Sequence, residues 1–368
     1  MPGLSGIDCA GRSGSNQAMS PSGLRFSDTR FLLILLLPGF SVLSIGSGAA
    51  QAGWWTLAIL FTVAALDAFM PGGQRSPPPL AETERGTRVM LWVVRLYVPV
   101  QLALLVVGAM AAATASWFTV LGLSFAVGFV TGAQGITLAH ELGHSRNRFD
   151  RFLAWVLMTS VNYSHFMVEH YRGHHPRAAT WDDPASARQG ESLWQFFPRT
   201  LAGSFMSAWR LEGLRLSQHG RSWLSSPLAW CLALNVAVVL ALWSLFAITL
   251  VAFWVGQSVM AIALLETVNY IEHYGLQRKT SPAGQREPFA MAHAWNADHV
   301  VSNSLLANLQ RHSDHHMHAW KPFPALQALP GPQLPTGYAG CLMLAALPPV
   351  WFAVMHPRLA ALQGRPAG

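Results

Sequence analysis

Residues 137–147, "TLAHELGHSRN", contain His140-Glu141-Leu142-Gly143-His144, a match to H-E-x-x-H. In that pattern two His one helical turn apart bind a metal, and the Glu is the base of a zinc protease. Residues four apart share a helix face, so both imidazoles can reach one ion. Three more groups follow. "EHYRGHH" holds His170, His174 and His175, "NYIEHYG" holds His273, and "LQRHSDHH" holds His312, His315 and His316. A lone His on a helix is most often structural. Nine His at ligand spacing in one chain are a different matter. A protease zinc takes two His from the helix and one further protein ligand, so nine imidazoles are too many for it and suit two ions. Imidazole accepts zinc, copper, iron or nickel, and ligand type leaves the metal open. Soluble di-iron sites in helix bundles are carboxylate-rich, so this His-rich set is another kind of centre.

The elements that must carry these groups are apolar. The 368 residues are 52% hydrophobic and 11% charged, against about 25% charged in a soluble domain. Apolar runs cover about 31–47, 53–70, 90–112, 117–139, 227–247 and 249–270, several near the ~20 residues a spanning helix needs. The expected fold is all-α, a polytopic membrane protein with six transmembrane helices. Turns near 48–52, 113–116 and 248 carry no charge. With six spans, all 24 Lys and Arg fall on the other side, ten of them Arg between Arg146 and Arg221. That is the positive-inside pattern. It places both termini and all four His groups on the cytoplasmic side, with His140 and His144 at the inner end of the fourth helix and His273 just past the sixth. The net charge of +7 is then a topology signal, and nucleic-acid binding is excluded as a function class.

Residues 1–24 are Gly/Ser-rich and read as a disordered tail, leaving 25–368 as one membrane domain. No cleavable signal peptide is apparent. Pro38 and several Gly suggest a short or kinked first span. Asp67 and Arg95 fall near inner helix ends, where charged groups can reach the interface. Cys9, Cys231 and Cys341 are too scattered for a disulfide framework or a thiolate metal site.

"HELGHS", "EHYRGHH", "NYIEHYGL" and "LQRHSDHH" closely resemble the four boxes of the bacterial membrane alkane 1-monooxygenases, within the fatty-acid desaturase/hydroxylase superfamily. "DPASARQGES" (183–192), "HAWNADHVVSN" (293–303) and "LPTGYAG" (334–340) extend the likeness over roughly residues 53–356. Ser145, "HAWKPFPAL" after the last box and Asn296-Ala297-Asp298-His299 depart from the usual pattern, but none removes a box histidine. The resemblance implies O2-dependent terminal hydroxylation of n-alkanes to primary alcohols at a cytoplasmic non-haem centre of two Fe. It implies His140, His144, His170, His174, His175, His273, His312, His315 and His316 as ligands. It also implies a bacterial inner-membrane location and electrons from a separate rubredoxin, itself reduced by a rubredoxin reductase. Iron suits the task, because zinc has no redox chemistry and O2 activation belongs to redox-active metals.

Metal-bound His commonly donates its other N–H to a carboxylate or carbonyl. Glu141, Glu169, Glu272 and Asp314 adjoin ligand His, and Asp182, Asp183, Asn269, Asn296 and Asp298 are further candidates. His165, His219, His293, His299, His318 and His356 lie outside ligand spacing and are read as structural or surface residues. Arg311 and the basic loops are expected to dock an acidic electron carrier. An apolar substrate channel is expected, with the second span as its far wall, Trp54 and Trp55 at the outer end and Ile59 and Phe61 in the middle. The rivals are a xylene-type monooxygenase or a fatty-acid desaturase of the same superfamily, a membrane zinc metalloprotease using Glu141, and a metal transporter.

Overall fold

The computed structural model describes residues 29–70 and 84–364; the tail expected over 1–24 lies outside them. The described residues are helical, with only isolated β-bridges. A 3₁₀ stretch, Thr29–Leu35, enters α1 (Leu36–Gly48), and a second, Ala49–Gln51, leads to α2 (Ala52–Phe69). Next come α3 (Glu84–Ala112), α4 (Trp117–Val130), α5 (Thr137–His144) and α6 (Arg148–Ser160). Then follow α7 (Phe166–Glu169), α8 (His175–Arg177), α9 (Leu193–Gln218), α10 (Pro227–Leu245) and α11 (Ile248–His273). The chain closes with α12 (Val300–Leu305), α13 (His312–Met317), α14 (Tyr338–Ala345) and α15 (Pro348–Leu362).

Among the described residues, five helical runs are long and apolar enough to cross a membrane: Thr29–Phe69, Arg88–Ala112, Trp117–His144, Pro227–Leu245 and Ile248–His273. The first has 41 residues, about 60 Å if straight, twice the ~30 Å hydrocarbon core. It folds back instead. The Phe40 and Trp55 rings sit 6.4 Å apart, whereas fifteen residues of straight helix would separate them by about 22 Å. The reversal comes at Gly48, where the backbone is extended (φ 163°, ψ 101°). Pro38 causes no break: it occupies the first turn of α1, where its missing N–H costs no helix bond. Both arms return to α12. Thus the two expected spans at 31–47 and 53–70 are the two arms of one hairpin. A sixth apolar element, not expected from sequence, is the pair α14 and α15, bent by 119°.

α4 and α11 form the closest pair in the bundle. A Cβ on Gly128 would meet the Gln257 carbonyl at 2.6 Å, and one on Gly132 would meet the Ala261 Cα at 2.7 Å. Small residues four apart let two membrane helices touch backbone to backbone. Asp67 and Arg95 turn inward, contrary to the interfacial placement expected for them. Fully buried Asp67 accepts bonds from the Ser302 amide and hydroxyl. Arg95 pairs with buried Asp150 at 2.7 Å. A charge at a helix end is better satisfied by a partner on the cap than left half-solvated. The Phe31–Phe323 contact, 4.8 Å between centroids, closes the start of the hairpin onto the cap.

Candidate metal centre

Two π-helical stretches, with i→i+5 hydrogen bonding, adjoin the histidines. One, Thr131–Ile136, joins α4 to α5 in the 28-residue run that delivers His140 and His144 to the cap. The other, His170–His174, lies inside the second box. Widened turns of this kind recur at functional sites. Here i→i+5 periodicity returns His175 to the face of His170, and their Nε2 atoms are 3.0 Å apart. Ala307 (φ 49°) and Asn308 (φ 55°) form a left-handed reversal that turns the chain out of α12 toward α13. Asn308 holds the turn by accepting from Arg30 and donating to the Phe323 carbonyl.

All nine box histidines converge, and they divide into two clusters. His140, His144, His170, His175 and His315 form one; His174, His273, His312 and His316 form the other. Within each, one ring nitrogen per residue lies within 4.8 Å of all the others. In the first, His175 Nε2 is 3.1 Å from His144 Nε2 and 3.3 Å from His315 Nε2, and His144 Nε2 is 3.4 Å from His170 Nε2. In the second, the His174–His316 and His312–His273 Nε2 separations are 3.2 and 3.1 Å. Nitrogens about 2.1 Å from a shared ion stand about 3.0 Å apart at right angles and about 3.4 Å apart at tetrahedral angles. The spacings therefore fit coordination. His140 Nε2 is buried with no hydrogen-bond partner, an orphan of the kind that an ion satisfies. Burial, then repulsion from neighbouring imidazoles, holds His170, His175, His312, His315 and His316 well below the usual His range. They stay neutral, the form that binds a metal.

The boxes do not map one to one onto the clusters. The first box serves only the five-His cluster and His273 only the four-His cluster. The second box sends His170 and His175 to one and His174 to the other, while the fourth sends His315 to one and His312 and His316 to the other. His170 and His174 have the same four-residue spacing as the first box's pair, yet they join different clusters, because a π turn, not an α turn, sets their directions.

Of the nine polar candidates, Asp183 meets a ring most directly. Its Oδ2 lies 2.9 Å from His174 Nδ1 and accepts the Ser186 hydroxyl at 2.6 Å. Burial acts to raise this carboxyl, but the bonds from His174 and Ser186 outweigh it and hold it below the ordinary range. Glu272 Oε1 is 3.2 Å from His312 Nδ1, a close approach off the hydrogen-bond axis. The Tyr338 hydroxyl donates to the same carboxylate. Tyr338 lies in a quoted motif, "LPTGYAG", yet nothing in its local spacing shows that it reaches Glu272 sixty-six positions earlier.

The other seven act elsewhere. Glu141 accepts the Phe323 amide at 3.2 Å. Glu169 pairs with Arg177, and Asn269 donates to Glu266. Asn296 caps α13 by accepting the Ser313 amide. Asp314 binds His318 and Lys321, Asp182 pairs with Arg286 at the surface, and Asp298 pairs with Arg311. The last contact overturns Arg311 as a docking residue: it is 3% exposed and also donates to the Leu326 carbonyl. The six remaining His lie outside both clusters. His293, His318, His356 and His219 bond to Glu287, Asp314, the Tyr274 hydroxyl and the Arg215 carbonyl.

Asp183→Asn should lower metal affinity by roughly 10–100-fold, the usual effect of losing a partner that orients a ligand ring. Metal retention against a graded chelator measures it, with Asp182→Asn as the surface control. Equal retention in the two variants would remove Asp183 from the role.

An apolar cavity of about 80 Å³ ends at both clusters. Ile59, Leu60 and Val63 of α2 line it together with Leu264 of α11, Leu305 of α12 and Leu342 of α14, and His140, His170 and His312 stand at its polar end. Trp54, Trp55 and Phe61 are 63%, 49% and 59% exposed and face away from it.

Fold and site together define a helical membrane protein with a paired, all-histidine metal-binding centre under an apolar chamber. The fatty acid desaturase family model matches residues 115–344. The chain is 37% identical over 331 residues to alkane 1-monooxygenase from Ectopseudomonas oleovorans, covering 86% of this chain and 82% of that relative. It is 41% identical over 249 residues to alkane 1-monooxygenase 1 from Pseudomonas aeruginosa; that match covers 67% of this chain and 65% of the relative's length. Over 244 residues it is 27% identical to the xylene/toluene monooxygenase hydroxylase component of Pseudomonas putida, covering 65% of this chain and 64% of that relative. The chain belongs to the alkane 1-monooxygenases of the fatty acid desaturase family.

Proposed function

We propose that this chain hydroxylates n-alkanes at the terminal carbon, consuming O2 and releasing a primary alcohol and water. The nine histidines hold two irons, five rings on one and four on the other, and rubredoxin supplies the electrons after reduction by its reductase. The protein sits in the bacterial inner membrane with both termini in the cytoplasm. One observation carries this reading: the apolar chamber ends at His140, His170 and His312, so it reaches both clusters. A substrate without polar atoms gains its binding energy from apolar contact, about 25 cal/mol per Å² removed from water. Such a chamber can lay an alkyl chain along its apolar lining with one end toward His140, His170 and His312. A redox-active pair of ions there supplies the O2 chemistry that an unactivated C–H bond demands.

The protease reading needs two helix His and one further ligand at a single zinc, whereas nine rings converge here in two clusters. A transporter would carry ligands along its spans, whereas these gather at one end. Sequence favours the alkane group over the xylene type, 37–41% identity against 27%. The test is metal analysis of purified protein in lipid nanodiscs, with product analysis of octane and xylene incubations under rubredoxin and its reductase. The expected outcome is about two irons per chain and 1-octanol. One zinc per chain, or benzylic alcohol without octanol, would overturn the reading.

A further inference from the structure

We propose that the groove beside His144 is where an acidic one-electron carrier protein docks. The inference rests on the hydroxylase reading and assigns its electron entry to a surface. Leu91, Glu141, His144, Arg146, Trp320 and Lys321 line an open groove that shares no lining residue with the apolar chamber. His144 is a member of the five-His cluster and is only partly buried, so the groove floor is the candidate centre itself. From His144 Nε2 the next cluster nitrogens lie 3.1 and 3.4 Å away. An electron that reaches this ring has arrived.

The rim suits an acidic protein. Arg146 on the lining and Arg148, two residues further along the chain, are exposed, and neither makes an ion pair among the described residues. Lys321 adds a cation, partly offset by Asp314. Glu141 is the one acidic lining residue, and its Oε1 is held by the Phe323 amide. The turn is rigid: Arg151 donates to the Ser145 and Arg146 carbonyls at 2.9 and 2.8 Å. Trp320, 69% exposed, stands over the groove as an aromatic anchor of the kind that dominates protein–protein interfaces. An anionic lipid headgroup would also find the cations, since Leu91 lies on a spanning helix. It has no electron to give, however, and no use for a path to His144. Hydroxylation follows R–H + O2 + 2 e⁻ + 2 H⁺ → R–OH + H2O, so a one-electron carrier must dock twice per turnover and leave oxidised each time.

The test uses the full chain in nanodiscs of neutral lipid and a purified acidic rubredoxin, with association and dissociation rates read by biolayer interferometry. Binding needs no turnover, so failure of the hydroxylase reading in a product assay leaves this measurement intact. Metal content matching the unaltered protein checks folding. The double variant Arg146→Glu, Arg148→Glu should slow association about ten-fold at low salt, because rim charges steer encounter. Trp320→Ala should chiefly speed dissociation. Unchanged rates in both variants would overturn the proposal. So would rubredoxin binding that persists while the double variant loses binding to vesicles containing phosphatidylglycerol, which would make the groove a lipid site.

Discussion

His312→Ala is expected to lower iron from about two ions per chain to about one and to abolish 1-octanol formation. His312 belongs to the four-His cluster, and its loss leaves three rings at a buried ion. Loss of an orienting partner alone costs roughly 10–100-fold in affinity; loss of a ligand costs more. The other cluster provides the contrast. It has five members, and His144 is its partly exposed one. His144→Ala leaves four rings and should retain most of both ions while still lowering turnover. Iron assay and thermal melting of the two variants decide the matter. Equal loss of iron in both would contradict the five-and-four division.

Ile59→Trp should exclude hexadecane while octane is still hydroxylated. Ile59 lines the chamber, and so does Ser302, which bonds Asp67 at the cap end of α2. Eight residues of helix from Asp67 to Ile59 rise about 12 Å. An extended alkyl chain advances by a similar amount per carbon, so octane ends near Ile59 and hexadecane must pass it. An indole there clashes with the longer chain at a cost of about 1–3 kcal/mol, roughly five- to 150-fold in turnover. Phe61→Ala, on the outward face, should leave the ratio of the two activities unchanged. A parallel fall in octane and hexadecane turnover after Ile59→Trp, with iron intact, would remove α2 as the length-setting wall.

The chemistry was legible because it is local. Metal-binding spacing is a property of a few consecutive residues, so "HELGH", "EHYRGHH" and "LQRHSDHH" name their histidines without any fold. Apolar length and the placement of Lys and Arg are likewise one-dimensional, which is why the spans at 90–112, 227–247 and 249–270 fall close to the helices Arg88–Ala112, Pro227–Leu245 and Ile248–His273. The Asp183 partnership was one of nine equal candidates. Sequence adjacency to a ligand His proved a poor guide, since neighbours on a helix point about 100° apart. Glu141, Glu169 and Asp314 accordingly turn to Phe323, Arg177 and Lys321.

By itself, then, the sequence determined the nine histidines and most of the apolar helices. Tertiary structure alone decided how those histidines divide between two clusters, that Arg311 is buried against Asp298 rather than free for docking, that Tyr338 reaches Glu272, and that Ile59 rather than Trp54 or Trp55 faces the chamber. The reason is directional. A residue's type and spacing are written along the chain, but where its side chain points depends on helix rotation, and rotation is set by what packs across it. A π turn at His170–His174 sets where its rings point, and Gly128 on α4 with Gly132 in the π stretch after it sets how closely α11 approaches; these effects exist only once the facing helices are in place.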